Sequence, residues 1–533
     1  MRGTAWDRGI LWGGMALAML AQPKCALGQA GGSAQTSGPG GTQNVDVAAM
    51  GRLLQQLQSQ VQELSGQVKT LNEEQESARA ESAELRKELN ATKSQLLALS
   101  SQPSGDPSAQ VAQSDTPPQA TIEDRVARLE ENQELAAQES AEQSQTKVES
   151  SSKYRVRLTG MLLLNTYVNR GSVDNQDFPV LATERNPLAS DGTFGGSARQ
   201  SQIGLEGFGP TVAGARTSAE VQFDFAGGFP DAPNGVSFGI ARLRTGTVRF
   251  DWSDTSVIVG QDSLFLAPLA PTSIATLAVP AFAYSGNLWS WAPQVRVEHR
   301  FTVGDNSSLL LQGGILDSLS GDVPNTQYSY YRYPTAGENS GQPAYATRLA
   351  WRQATGEQSI TLGLGGYYGR QDWGFSRSVD SWAGTADVSV PLGSRFEFTS
   401  QFYRGRGTGG LGGGIGQTAL WNKSFLDPET EVYGLDSVGG WAQLKFKATS
   451  KLQFNGAFGQ DNPYASELRQ VGANQTYYYE YPLSKNQSAM ANFLYQPKSD
   501  IVLSLEYRRL RTYPLDSNAN NANIINLSVG YIF

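Results

Sequence analysis

From Tyr154 onward the side-chain character of this chain alternates every two residues in one stretch after another, and few folds accommodate that over so long a span. Between residues 215 and 225, Ala215, Thr217, Ala219, Val221, Phe223 and Phe225 alternate with Arg216, Ser218, Glu220, Gln222 and Asp224. Val295, Val297, His299 and Phe301 stand likewise against Gln294, Arg296, Glu298 and Arg300. Tyr345, Thr347, Leu349 and Trp351 oppose Ala346, Arg348, Ala350 and Arg352, and Ile501, Leu503, Leu505 and Tyr507 oppose Val502, Ser504, Glu506 and Arg508. The last eleven residues place Ile525, Leu527, Val529, Tyr531 and Phe533 on one face, with Ile524 and Ile532 as exceptions on the other. A strand of roughly ten residues ending in aromatics suits a tilted membrane crossing. The same alternation would also serve a soluble β-sandwich with one wet face.

The connections separate these two folds. Seven are tight and turn-like, at Gly209-Pro210, Ser253-Asp254, Gly304-Asp305, Thr355-Gly356, Leu392-Gly393, Thr449-Ser450 and Pro497-Lys498. Between them fall eight longer, irregular segments, near 169–197, 226–237, 265–293, 317–342, 371–378, 404–434, 461–485 and 512–522. Short and long links alternate, so the fifteen connections join sixteen strands with both chain ends on the short-turn side. Outer-membrane barrels have this asymmetry, and a soluble sheet has no reason to keep it. The expected fold is an all-β membrane barrel of about 16 antiparallel strands over residues 153–533, with ambiguous strand parity between Arg242 and Thr247.

The first 150 residues have a different texture. The apolar run Ile10 to Ala21 follows Arg2 and Arg8 and precedes Ala26-Leu27-Gly28, the order of a secretory signal, so residues 1–28 are expected to be removed. Cys25, the only cysteine, lies within it, which leaves no thiol for a disulfide or a metal. Residues 29–49 form a Gly/Ser/Gln-rich spacer. Within residues 50–100 a heptad seam runs through Leu54, Leu57, Val61, Leu64, Val68, Leu71, Ala78, Leu85, Leu89, Leu96 and Leu99. Glu74, Glu81 and Glu88 each precede Arg79, Arg86 or Lys93 by five residues, the offset at which facing positions meet in a parallel coiled coil. A Leu/Val seam of this kind needs a partner to shelter it from water, and the nearest partner is another copy of the chain. Its Val and Leu positions suit a dimer as well as a higher assembly. Residues 101–152 read as a Ser/Pro/Gln-rich linker with a short helix after Thr121.

Charge and chemistry exclude several classes. The net charge is −8, and the first 150 residues hold 19 acidic against 12 basic side chains, the reverse of a nucleic-acid footprint. His299 is the only histidine, so histidine-based metal centres are excluded and no cofactor is expected. On its outward parity it suits a membrane-interface or subunit contact better than catalysis. The run Gly409 to Gly416 lacks the Lys-Ser/Thr and helix of a phosphate loop and reads as a flexible external loop. A water-filled lumen remains, with Arg155, Arg157, Arg216, Arg296, Arg300, Arg348, Arg352 and Arg508 facing inward among Glu220, Asp224, Glu298 and Glu506. Two alternatives stay open. The arginines either raise the local concentration of anions or pair with the neighbouring acids and stiffen the wall.

Arg155-Val156-Arg157-Leu158-Thr159-Gly160, Val259-Gly260-Gln261 and Trp291-Ala292-Pro293-Gln294-Val295-Arg296, set in this order of parts, resemble trimeric outer-membrane porins with an N-terminal periplasmic coiled coil. The chain is most similar to the DcaP-like group and more loosely to the phosphate-selective O/P porins. The resemblance implies a homotrimer in outer-membrane lipid that passes small hydrophilic solutes by passive diffusion, with the third long loop folded inward. That loop would be about Phe265 to Pro293, where Thr272, Ser273, Thr276 and Ser285 are the polar candidates at a constriction and no charged cluster is evident. The competing expectation is a structural barrel that its coiled coil tethers to peptidoglycan.

Overall fold

The structure, a computed structural model, describes residues 147–148 and 155–533, except 189, 230–238, 322–331, 357, 425–426 and 472–481. The signal, the spacer, the seam from Leu54 to Leu99 and the helix after Thr121 lie outside the described residues.

Sixteen strands make up the barrel: β1 (Arg155–Arg170), β2 (Gly192–Ser197 continued by Gln202–Phe208), β3 (Arg216–Asp224), β4 (Arg242–Asp251), β5 (Thr255–Ser263), β6 (Trp291–Gly304), β7 (Ser307–Leu316), β8 (Ala344–Thr355), β9 (Gln358–Asp372), β10 (Ser378–Leu392), β11 (Phe396–Arg406), β12 (Asp436–Lys447), β13 (Leu452–Pro463), β14 (Leu483–Lys498), β15 (Ile501–Pro514) and β16 (Asn520–Ile532). Each pairs antiparallel with the next, and β16 returns to β1, with Met161 opposite Ile532 and Arg170 opposite Asn523. The sheet is therefore a closed cylinder without an edge. Closure excludes the sandwich.

The seal is made by the last residue. Gly160 N–H donates to the Phe533 carbonyl at 2.8 Å, and Phe533 N–H donates back to Gly160 O at 3.1 Å. A Cβ at Gly160 would stand 2.7 Å from the Phe533 ring, so only glycine lets the terminal aromatic lie flat against β1.

On the outside, Leu164, Leu364, Phe402, Phe458, Leu527 and Tyr531 are exposed, while their chain neighbours face inward. That apolar belt is the surface of a barrel standing in lipid. Six of the seven short links fall where expected, and the seventh is at 499–500 rather than Pro497-Lys498, because an irregularity between Tyr495 and Lys498 carries the strand two residues further. At the opposite end lie eight loops, L1 (171–191), L2 (225–241), L3 (264–290), L4 (317–343), L5 (373–377), L6 (407–435), L7 (464–482) and L8 (515–519).

Three expectations about these links need correction. L5 and L8 are short, because the hydrogen-bonded ladder continues past the apolar belt into positions such as Arg370 and Asp380 that are polar on both faces. The first long segment ends early, at Gly192, because Gly192–Ser197 already pairs with β1. Lys147–Val148, assigned to the linker, adds a two-residue strand beside Val156 and Arg157. The ambiguous parity near Arg242 has a cause, too. A register shift lets Gln222 oppose Thr245 while Phe223 opposes Leu243, so Arg244 is an extra residue and points inward like Arg242.

Candidate functional site

The lumen is organised by L3. Residues 264–290 contain no Asp, Glu, Lys, Arg or His, and that is what allows the segment to leave water and pack inside the cylinder. Leu264, Phe265, Leu266 and Leu288 cluster with Ala344, Ala346, Tyr367, Ala383 and Tyr403 on β8 to β11. Further along, Phe282 meets Trp441 and Met490, and Ile274 meets Leu163 and Val502.

The backbone of L3, deprived of water, is satisfied by inward polar side chains from nearly every side of the barrel. Asn165 and Gln200 donate to Ala275 O at 3.5 and 2.9 Å. Arg242 reaches Ala278 O at 2.6 Å and Arg244 reaches Leu277 O at 2.8 Å. Thr385 donates to Leu266 O at 2.6 Å, Asn492 to Thr272 O at 2.9 Å and Asn486 to Tyr284 O at 2.8 Å. Gly286 lies with φ +94 against β12 and β13, where a Cβ would come within 2.4 Å of Gly440 N and O and Gln460 O. No other residue type fits there.

The polar residues expected at a constriction serve as anchors instead. Thr272 exchanges hydrogen bonds with Gln443, Ser273 Oγ donates to Glu506 at 2.6 Å, Arg508 reaches Thr276 at 3.3 Å, and Ser285 accepts from Asn486 at 2.9 Å. What L3 exposes is Pro268 and Ala270, with Leu269 half-buried between them. The glycine run Gly409 to Gly416, expected as an external loop, is likewise largely buried. It forms two 3-10 turns, buries Leu411 and Ile415, and packs against L3, where Trp289 N–H donates to Leu411 O at 2.9 Å.

The charged inward candidates divide into three groups. Some are buried in pairs: Arg348 with Asp387 at 2.7 Å, where the side chains are 6% and 1% exposed, and Arg508 with Glu506 at 2.7 Å, where they are 3% and 2% exposed. A second group is partly wet. Arg296 bridges Asp262 at 2.6 Å and Glu298 at 2.8 Å, Arg157 pairs with Glu206, and Asp224 takes both Arg242 and Arg244. Here too Glu220 stands exposed, directly opposite Glu206, and Arg249 grips Asp251. In the third group, Arg155, Arg300 and Arg352 are exposed at the short-turn end without an ion pair among the described residues, and Arg216 lies opposite Asp251.

Sequence reasoning missed Arg199, Arg242, Arg244 and the ring of inward amides. Arg199 pairs with Asp177 at 2.7 Å between the rings of Phe178 and Phe229, at a break in β2 that no periodicity marks. The amides Gln200, Gln443, Asn486 and Asn492 were legible as polar inward positions and were passed over for want of charge. His299 keeps its outward place, Nδ1 2.8 Å from Thr255 Oγ1 and its ring against Phe301. No group of three or more metal-ligating side chains occurs among the described residues.

No family model matches the chain. Nor does any curated protein. Among solved structures, the outer membrane channel DcaP of Acinetobacter baumannii superposes with a TM-score of 0.55 at 15% identity, over 73% of this chain and 100% of that one. The anion-selective porin from Comamonas acidovorans, over 72% of this chain and 100% of its own, reaches 0.44 at 10% identity. OmpF of Salmonella typhi in complex with daunomycin also reaches 0.44 at 10% identity, over 71% and 98%. What this chain shares with DcaP is the fold, over the whole of the DcaP chain and nearly three quarters of this one.

Proposed function

We propose that the protein is a non-enzymatic outer-membrane porin through which small hydrophilic solutes diffuse passively. The observation that carries this reading is the closed sixteen-stranded cylinder with an apolar outside, a charged inside, and a loop seated within rather than across the mouth. By the asymmetry of such barrels the short turns face the periplasm and L1 to L8 the exterior.

The wetted part of the inner wall is the β1 to β6 side, where Arg157, Glu220, Arg249 and Asp262 remain at least partly exposed, while the inward groups of β8 to β16 are largely covered. Along that side acids and arginines neutralise one another. At the periplasmic mouth Arg155, Arg300 and Arg352 are without an ion pair among the described residues and outnumber the turn carboxylates Asp254 and Asp305 beside them, and this supports a mild preference for anions set there. Reversal potentials of the purified protein in a salt gradient test it. Anion preference that falls towards neutrality in Arg300→Gln/Arg352→Gln is expected, and cation preference would end this part of the reading.

Assembly as a homotrimer, with the Leu54 to Leu99 seam joined in the periplasm, completes the proposal. Its support is the exposed apolar belt and the heptad pattern. The packing of L3 and L6 inside the barrel equally favours a plugged structural barrel, tethered to peptidoglycan through the same seam. A full-length chain that folds yet never conducts in planar bilayers would select that second reading.

A further inference from the structure

Four cations cluster on one side of the outer wall, none of them in an ion pair among the described residues. Arg509 and Arg511 on β15 have the lipid-facing parity of Leu503, Leu505 and Tyr507, and Lys485 on β14 and Arg170 on β1 share that face at the long-loop end. The register sets them side by side. Arg170, Asn523 and Arg509 are directly opposite one another across β1, β16 and β15, and the next row is Asn521, Arg511 and Gln487. Above that, Tyr513 opposes Lys485 and holds two cations on one ring, Lys485 Nζ at 4.2 Å and Arg511 Cζ at 5.4 Å from its centroid.

None of the four is in an ion pair among the described residues, and the outward positions of β14, β15, β16 and β1 at this end include no acid. The buried arginines Arg199, Arg296, Arg348 and Arg508 each have a carboxylate, whereas Arg170, Arg509 and Arg511 are exposed on the outer wall and have none among the described residues. Like charges held this close, next to a low-dielectric surface, repel unless an anion stands between them. The row immediately below is Val168, Ile525 and Tyr507, the upper edge of the apolar belt, so the cations sit at headgroup height. Asn521, Asn523 and Gln487 supply amide groups between them, and Tyr507 Oη fixes Asn523 by a 2.8 Å hydrogen bond. Arginine forks and a lysine in this arrangement suit phosphate oxygens.

We infer that this face of β14, β15, β16 and β1 is a binding site for the phosphate groups of an anionic glycolipid of the outer leaflet, whose acyl chains lie along the apolar belt beneath. The inference rests on the outer-membrane reading, which places these residues on the exterior side. A second protomer against the same face would have to bring acids to it, and the chain's own outward belt supplies few.

The full-length protein in detergent, titrated by native mass spectrometry with bisphosphorylated lipid A, tests the site. Dephosphorylated lipid A of the same acyl pattern and inorganic phosphate are the comparison probes. Binding of the bisphosphorylated lipid is expected, at least tenfold weaker for its dephosphorylated form and for Lys485→Gln/Arg509→Gln/Arg511→Gln. Arg509→Lys/Arg511→Lys should retain it, and inorganic phosphate alone should not compete at equal concentration. Equal binding by wild type and the glutamine variant overturns the inference, as does equal binding of the two lipids, or a change of oligomeric state with lipid affinity unaltered. Single-channel conductance recorded from the same samples separates the two readings. A glutamine variant that conducts normally but binds lipid like wild type sinks only this inference.

Discussion

Arg348 illustrates how single residues in this lumen handle charge. Its guanidinium meets Asp387 through two hydrogen bonds, at 3.0 and 2.7 Å, with Gln312 as a third partner at 3.1 Å. Removing one member leaves the other charged in a covered site, which costs roughly 3–5 kcal/mol, whereas the intact pair contributes far less than that. Asp387→Ala is therefore expected to lower stability by that order in urea unfolding from detergent, with Asp387→Asn losing less. The alternation predicted that Arg348, Arg508 and Glu506 face inward, but not that they would be covered. Parity gives direction; burial depends on L3, which is far away in sequence. Ile524 and Ile532 broke the alternation for the same reason. Ile524 packs with Ala182, Leu510 and Ala522 under L1, and Ile532 with Leu163 and Ile274, so an inward position covered by a loop no longer has to be polar. Arg244 stayed hidden because a bulge costs one residue of register without leaving any compositional mark.

At the scale of elements, L3 is the loop seated inside the barrel, and on the porin reading it is expected to set the width of the passage. Its lack of charge was visible in the sequence and, read there as a gap in the expected constriction chemistry, was in fact the condition for burial. The seat of Gly286 on Gly440 and Gln460 makes this testable. Gly286→Val must lift L3 from β12 and β13, and single-channel conductance is expected to rise above the wild-type value; an unchanged value would show that L3 does not bound the passage. The outer loops have a weaker tie. Arg469, on the short helix Ala465–Val471 of L7, is held to Asp516 of L8 at 2.7 Å. The hydrogen bond from Arg469 keeps the Asp516 carboxyl below its ordinary range. A lowered carboxylate value means the tie is present above the ordinary carboxylate pKa and lost as pH falls through the folded one. Both groups are exposed, so the effect is local. Amide exchange in Ala465–Val471, corrected for intrinsic rate, should quicken on acidification below the carboxylate range in wild type and be insensitive to it in Arg469→Gln.

For the whole molecule, the alternation of short and long links determined the strand count, because a barrel with both termini on one side needs an even number. The tilt and the inner filling could not be read that way, since both depend on contacts between strands far apart in the chain. Closure rests on the final residues. Phe533→Ala removes the ring that lies on Gly160 and leaves the last ladder bonds exposed, so slower barrel assembly, seen as a larger unfolded fraction on unheated gels, is expected. All of these effects presuppose one cylinder with an oily exterior and a continuous wet path. The most direct measurement is the single-channel current of the purified full-length protein in a planar bilayer. Discrete, voltage-ohmic steps that grow in Gly286→Val are expected; a correctly folded protein that carries no current, with or without that substitution, would contradict it.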